Sequence, residues 1–266
     1  MLDPRIIPCL LIQNKGLVKT VKFSSPKYVG DPLNAVKIFN EKSVDELIVL
    51  DIDATAKSKE PNYNMISNFA MECRMPLCYG GGVKNKDQAI RIFQLGVEKI
   101  AFSSVAIENP KIISEIANIV GNQSVVVVLD VKKKRFTNKY ELLTHNGTKN
   151  TTLNPVDMAK KVEAQGCGEI VINSITNDGM MVGYDYKIID EIRKAVSIPI
   201  TVLGGAGSLE HIGEMISKYG IIGVGAGSLF VFKGKYKAVL INYPNPKEKQ
   251  ILLNKYKKYE TNLSIA

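Results

Sequence analysis

Two glycine clusters, each followed by a pair of small residues, are the first features that suggest chemistry. Gly80-Gly81-Gly82 is followed by Ser103-Ser104, and Gly204-Gly205-Ala206-Gly207 is followed by Gly227-Ser228. Glycine lets a backbone approach an anion closely, and a helix start presents free N–H groups at the positive end of its dipole. Either motif alone reads equally well as a tight turn between strand and helix. Paired in this way, they suit a substrate that carries a phosphate at each end. Asp130, directly after the apolar run Val125–Leu129, is the candidate acid–base group. An aspartate at that position also commonly caps a turn.

These residues need elements to position them. Short β-branched runs occur at Ile6–Ile12, Leu47–Ile52, Leu77–Tyr79, Ile100–Ser103, Val125–Val131, Ile170–Ile175, Ile200–Leu203 and Ile222–Val224. Each is too short for a helix and is bounded by charge, Pro or Gly. Amphipathic stretches lie between most of them. Asp31-Pro32 and Asn154-Pro155 read as helix starts, and Asn85–Leu95 and Asn109–Val120 carry helical spacing. Eight strands alternating with about eight helices predict a parallel sheet, and at 266 residues a (βα)8 TIM barrel fits best. Leu11, Asp51, Gly80–Gly82, Ser103-Ser104, Asp130, Asn173–Asp178, Gly204–Gly207 and Gly227-Ser228 then fall at the C-terminal ends of strands, the functional face of such a barrel.

The chain also repeats itself. Pro76–Gly82 answers to Pro199–Gly205, Glu46–Asp51 to Glu169–Ser174, Ser103–Ala106 to Gly227–Phe230, and Ile6–Ile12 to Val125–Val131. Four ordered matches about 120 residues apart exceed any solenoid unit and predict two fused four-strand halves. The expectation is one domain over 1–266, with halves near 1–122 and 123–240 and a basic helix and tail over 233–266. The repeat places Leu11 opposite Asp130. Acid–base chemistry at a barrel mouth usually draws on two groups with separated pKa values, and a leucine supplies none. At the opposite end Arg5, Glu46, Lys99 and Glu169 each precede a strand with alternating sign. They read either as a salt-bridged ring across the axis or as solvated strand starts of little energetic worth.

Hydrophobic residues make up 45% of the chain and charged residues 23%, which excludes wholesale disorder. The four cysteines, Cys9, Cys73, Cys78 and Cys167, show no metal or disulfide spacing, so a reducing, cytoplasmic setting is expected. No apolar run has the roughly 18 residues of a membrane span, and MLDPRIIPCL lacks a signal-peptide layout. The net charge of +9 allows several anionic partners. Lys233 to Lys258 holds eight lysines against Glu248, so that stretch carries +7 and the rest of the chain +2. Such a run is most simply a solvated face, with an acidic partner or membrane surface as the alternative. Aromatic–basic interleaving for nucleic acid is missing.

Arg5-Ile-Ile-Pro-Cys-Leu, Asp45–Asp51, Gly80–Gly82, Glu108-Asn-Pro110, Val125–Asp130, Gly166–Ile170, Asp178-Gly179, Gly183–Asp185 and Gly204–Gly207 together resemble the HisF-type cyclase subunit of imidazole glycerol phosphate synthase. The match is colinear over residues 1–232. The resemblance implies a barrel that takes ammonia from a HisH-like glutaminase docked on its bottom face, with no cofactor and no metal. Arg5, Glu46, Lys99 and Glu169 match the charged gate of that family. Gly82, Ser104, Gly205 and Ser228 fall on its phosphate-loop positions and Lys19 on the lysine of the mobile first loop, and Gly81, Ser103, Gly204, Gly227 and Asp178 are expected to join them in binding substrate. Asp130 matches one of two catalytic aspartates.

The other aspartate is replaced by Leu11, a serine by Leu203 and a usual asparagine by Ser103. These departures favour a branch of the family that supplies ammonia to an amidotransferase, making acetamidino sugars of lipopolysaccharide or glycan from a phosphorylated or nucleotide-linked sugar. Two other readings stay open: a genuine cyclase of histidine biosynthesis, and a docking module that activates the glutaminase. The sister isomerase fits less well, because it uses both aspartates and no charged gate.

Overall fold

The computed structural model describes residues 3–135 and 137–256. Within them the apolar runs form β1 (Arg5–Gln13), β2 (Leu47–Asp51), β3 (Leu77–Gly80), β4 (Lys99–Phe102), β5 (Val125–Lys133), β6 (Glu169–Ser174), β7 (Ile200–Leu203) and β8 (Gly223–Ala226). Each strand pairs in parallel with the next, and β8 returns to β1 through Arg5↔Gly223 to Pro8↔Ala226. The sheet closes into a (βα)8 barrel with no free edge. Both faces of these strands are covered, which is why they read as nearly continuous hydrophobic runs.

The outer layer consists of α1 (Pro32–Glu41), α2 (Tyr63–Glu72), α3 (Lys86–Gln94), α4 (Lys111–Val120), α5 (Pro155–Ala164), α6 (Tyr186–Arg193), α7 (Leu209–Tyr219) and α8 (Pro246–Tyr256). Side-chain caps fix several starts. Asp31 accepts from Asn34 N at 2.8 Å, and Asn154 accepts from Val156 N at 2.8 Å. Each such cap contributes about 1 kcal/mol. Strand alternation divides the core in two. Outward residues such as Ile6, Leu10 and Ile12 pack beneath the helices. Inward ones (Ile7, Cys9, Ile48, Cys78, Ala101, Val126, Val128, Val171, Leu203) fill the barrel, with Leu11 and Leu50 resting on them.

Three hairpins were not expected from the sequence. Gly16–Val21 and Ser24–Gly30 rise from β1, Tyr140–Thr144 and Lys149–Asn150 from β5, and Phe232–Lys233 and Ala238–Val239 follow β8. Their strands are short and most mix apolar with polar residues, so none reads as a continuous apolar run like those of the barrel. Lys22, Phe23, His145 and Asn146 take left-handed turn positions where glycine would have signalled a turn.

The last helix also departs from the barrel pattern. The chain descends after Val239, where Leu240 N donates to Val231 O and Asn242 N to Phe230 O. Tyr243 OH then reaches Ile6 O at 2.9 Å, low on β1. Early in α8, Lys249 pairs with Asp45 at the foot of β2, whereas Tyr256 at its end lies against Gly213, in the first half of α7. So α8 climbs toward the mouth, antiparallel to α7. The expected basic helix and tail over 233–266 is thus a hairpin, a descending run and a rising helix, and residues 257–266 lie outside the described set.

Candidate functional site

At the foot of the barrel the structure brings all four alternating charges together. Arg5 pairs with Glu46 and, at 2.7 Å, with Glu169; Lys99 Nζ reaches Glu46 at 3.0 Å and Glu169 at 2.8 Å. The carboxylates are 3% and 5% exposed, so this is a desolvated ring and not a set of solvated strand starts. Thr201 Oγ1 adds a bond to Glu169 at 2.5 Å. Burial alone would raise the Glu169 pKa, but Arg5 and Lys99 overcome it and bring it down to about 2. The ring is anchored from outside as well. Asp45 accepts from Ile6 N at 2.8 Å, and Asp45 and Ile6 are the chain neighbours of Glu46 and Arg5. Tyr243 and Lys249 hold the same two residues from the C-terminal segment.

The mouth is a cleft of about 290 Å³ that gathers both glycine loops. Gly81 has φ +127°, and a Cβ there would lie 2.5 Å from Asp51 O. Gly205 has φ +115°, and a Cβ there would strike Gly183 O. Neither position admits a side chain. Two short helices, Ser104–Glu108 and Ser228–Val231, begin at the cleft with Ser103 and Gly227 as their N-caps. Gly82, Gly204 and Gly205 face the same space. The arrangement offers backbone N–H groups to anions in two places.

Lys19 enters from the first hairpin. It is 5% exposed, and its Nζ donates to Cys9 O at 2.6 Å. The ammonium sits 2.8 Å from where a Cβ on Gly227 would stand. Burial lowers its pKa, with the Asp178 charge opposing, and among the described residues no carboxylate bonds it, so an anion at Gly227-Ser228 would give its ammonium a direct partner. Asp178 lines the same cleft. Its Oδ2 accepts from Thr20 Oγ1 at 2.7 Å and Phe23 N at 3.1 Å, which clamps the first hairpin over the mouth. Ser104 Oγ likewise accepts from His145 N of the second hairpin at 2.9 Å.

Asp130 is 7% exposed and accepts from Asn173 Nδ2 at 2.9 Å and Ser103 Oγ at 3.1 Å. Burial raises its pKa to about 7, with the two hydrogen bonds opposing. At neutral pH it can therefore both give and take a proton. Because the folded-state value lies above the unfolded one, the protonated form stabilises the fold at low pH, and this is lost as pH rises through about 7. We expect Asp130→Asn to gain up to about 4 kcal/mol relative to the native chain between pH 4 and pH 8.5. Urea unfolding at the two pH values measures this; an unchanged difference would contradict a buried, neutral Asp130.

Across the cleft from this group stands Leu11, beside Leu50 and Leu203. Position 11 therefore supplies no proton acceptor; the carboxylate that lines the cleft on that side is Asp51, at the end of β2, whose Oδ1 accepts from Asp53 N and Ala54 N. Asn173, one of the expected strand-end residues, donates to Asp130, whereas the roles of Thr201 and Asp45 at the foot were missed by sequence reading. The inward alternation that marks Leu203 would have found Thr201, but Asp45 offers no such signal. Burial raises the Cys9 thiol to about 11, so it is no nucleophile at neutral pH. Among the described residues no three His, Cys, Asp or Glu groups cluster as a metal site.

The sequence profile of a family described as "Histidine biosynthesis protein" matches residues 5–237. A protein of Leptospira borgpetersenii, provisionally named imidazole glycerol phosphate synthase subunit HisF, is 61% identical over 252 residues, 95% of this chain and 99% of its own. A similarly named protein of Pseudomonas aeruginosa is 47% identical over 245 residues, 92% of this chain and 97% of its own. The imidazole glycerol phosphate synthase subunit HisF of Clostridium botulinum is 38% identical over 233 residues, 88% of this chain and 92% of its own.

Proposed function

The chain belongs to the HisF-type imidazole glycerol phosphate synthase subunit family, and from that premise we propose that it is an ammonia-accepting barrel that feeds a reaction other than the family's cyclisation. Its partner is a HisH-like glutaminase docked on the foot. Its product nitrogen goes to an acetamido sugar through a separate amidotransferase of glycan biosynthesis. The observation that carries this reading is the contrast between the two ends of the barrel. The charged ring at the foot is complete, whereas the mouth has Leu11 where the acid–base pair needs a second carboxylate.

The path follows from the core. Above the ring the axis is lined by Ile7, Ile48, Cys78, Val126 and Val171, then by Cys9, Ala101, Val128 and Leu203. An apolar lining passes neutral ammonia and penalises ammonium, whose charge would be desolvated. At the mouth Lys19 and the glycine loops would retain a phosphorylated ligand, and Asp130 would handle protons without a carboxylate partner at position 11.

The first test is kinetic. Titrated into a HisH-like glutaminase of the same organism, the chain should raise glutamine hydrolysis and saturate at one chain per glutaminase. A rate that ignores the chain would remove the glutaminase from the proposal.

A further inference from the structure

We propose that the rim above β8 and β1 is a docking surface for anionic lipid headgroups, a property independent of where the ammonia goes. The rim is built from two hairpins that touch. Lys27, on the Ser24–Gly30 strand, lies over the Phe232 ring at 5.7 Å from its centroid. Phe232 opens the hairpin that carries Lys233, Lys235, Tyr236 and Lys237, all exposed. Tyr236 is 91% exposed, and Leu240, directly after the hairpin, is 50% exposed.

Three observations give this surface a single sign and a partner. No Asp or Glu occurs between Glu214 and Glu248, nor between Asp3 and Asp31, so both hairpins are free of acid. Lys27, Lys233, Lys235 and Lys237 form no ion pair among the described residues. The third observation is shape. The turn closed by Lys237 N on Gly234 O presents Tyr236 on a convex tip flanked by lysines. A protein partner would need a pocket to receive such a tip. A headgroup layer yields to it, places tyrosine at its favoured depth and attracts each lysine by about a fivefold gain in partitioning.

The departure of this segment from the family pattern fits a separate role. The family profile ends at residue 237, inside the hairpin, and the chain beyond it takes the descending run and the rising α8. Alignments to the provisionally named relatives span 245 and 252 residues, against 233 for the Clostridium subunit.

Co-sedimentation of the full chain with vesicles tests the proposal. Vesicles of about 70% phosphatidylcholine and 30% phosphatidylserine should retain it at low salt, pure phosphatidylcholine should not, and added salt should release it. Combining Lys233→Ala, Lys235→Ala and Lys237→Ala should cut partitioning about 100-fold, and Tyr236→Ala should weaken it further. A control of equal net charge, Lys111→Ala with Lys160→Ala and Lys194→Ala, should bind as the native chain does. All six lysines are exposed, and matched melting temperatures would show that both triple variants fold. Failure to bind phosphatidylserine vesicles at low salt would overturn the proposal. So would an equal loss in the control, which would assign binding to bulk charge. Retention on immobilised polyglutamate without vesicle binding would also overturn it, in favour of an acidic protein partner.

Discussion

Supplied with ammonium salt and the two-phosphate ribonucleotide of the HisF family, the purified chain is expected to cyclise it about 10²–10⁴ times more slowly than a subunit with both aspartates. The magnitude is that of a lost general acid–base group. Leu11 faces inward from β1 and packs on the core beside Leu50, so it presents only methyl groups to the cleft. The remaining carboxylate, Asp130, already accepts from Ser103 and Asn173, and burial leaves it near half-protonated at pH 7. Leu11→Asp should restore a fraction of the rate, limited by Leu203, which adds another apolar side chain to the same floor. Release of the imidazole product measures both. Native turnover within about tenfold of a two-aspartate subunit would return the chain to histidine biosynthesis.

Breaking the foot ring should have the largest effect on stability. Glu169→Ala removes a buried carboxylate that accepts from Arg5, Lys99 and Thr201, leaving two cations to share Glu46. Stranding buried charge in this way costs about 3–5 kcal/mol, whereas an apolar replacement of the whole ring costs far less. The pH dependence has a definite sign. The folded-state pKa of Glu169 is depressed to about 2, so its contribution is present above its ordinary value near 4.5 and fades as pH falls toward 2. The stability gap between native and Glu169→Ala chains should therefore narrow below pH 4.5 in urea titrations. In the complex, the variant should lose glutamine-dependent transfer and keep ammonium-dependent transfer. A gap that widens with acid, or equal loss with both nitrogen sources, would contradict the ring as a desolvated gate.

The barrel was legible in the sequence because both faces of its strands are buried. Runs such as Val125–Val131 therefore carry no competing polar pattern, and caps such as Asp31 and Asn154 announce their helices. The four foot charges were legible because each interrupts such a run at its start. The hairpins were not: Gly16–Val21 is a short strand whose apolar residues are interrupted by Lys19 and Thr20, Ser24–Gly30 is mostly exposed, and the turn between them uses Lys22 and Phe23 in place of glycine. Direction also escapes a one-dimensional pattern. Nothing in Pro246–Tyr256 says that the helix rises; that follows from where Lys249 and Tyr256 find Asp45 and Gly213. Asp178 shows the same limit. Its type and place at a strand end point to the cleft that it lines, but nothing there says that its Oδ2 also holds Thr20 and Phe23.

The central claim is that nitrogen travels inside this barrel, and isotope dilution tests it most directly. The chain, its glutaminase and the sugar amidotransferase are given glutamine labelled with nitrogen-15 in the amide, together with excess unlabelled ammonium. Transfer along the axis from ring to mouth should give a product carrying mostly nitrogen-15. A product whose label has fallen to that of the mixed pool would mean that ammonia reaches the acceptor through solvent, and the barrel would then be no conduit.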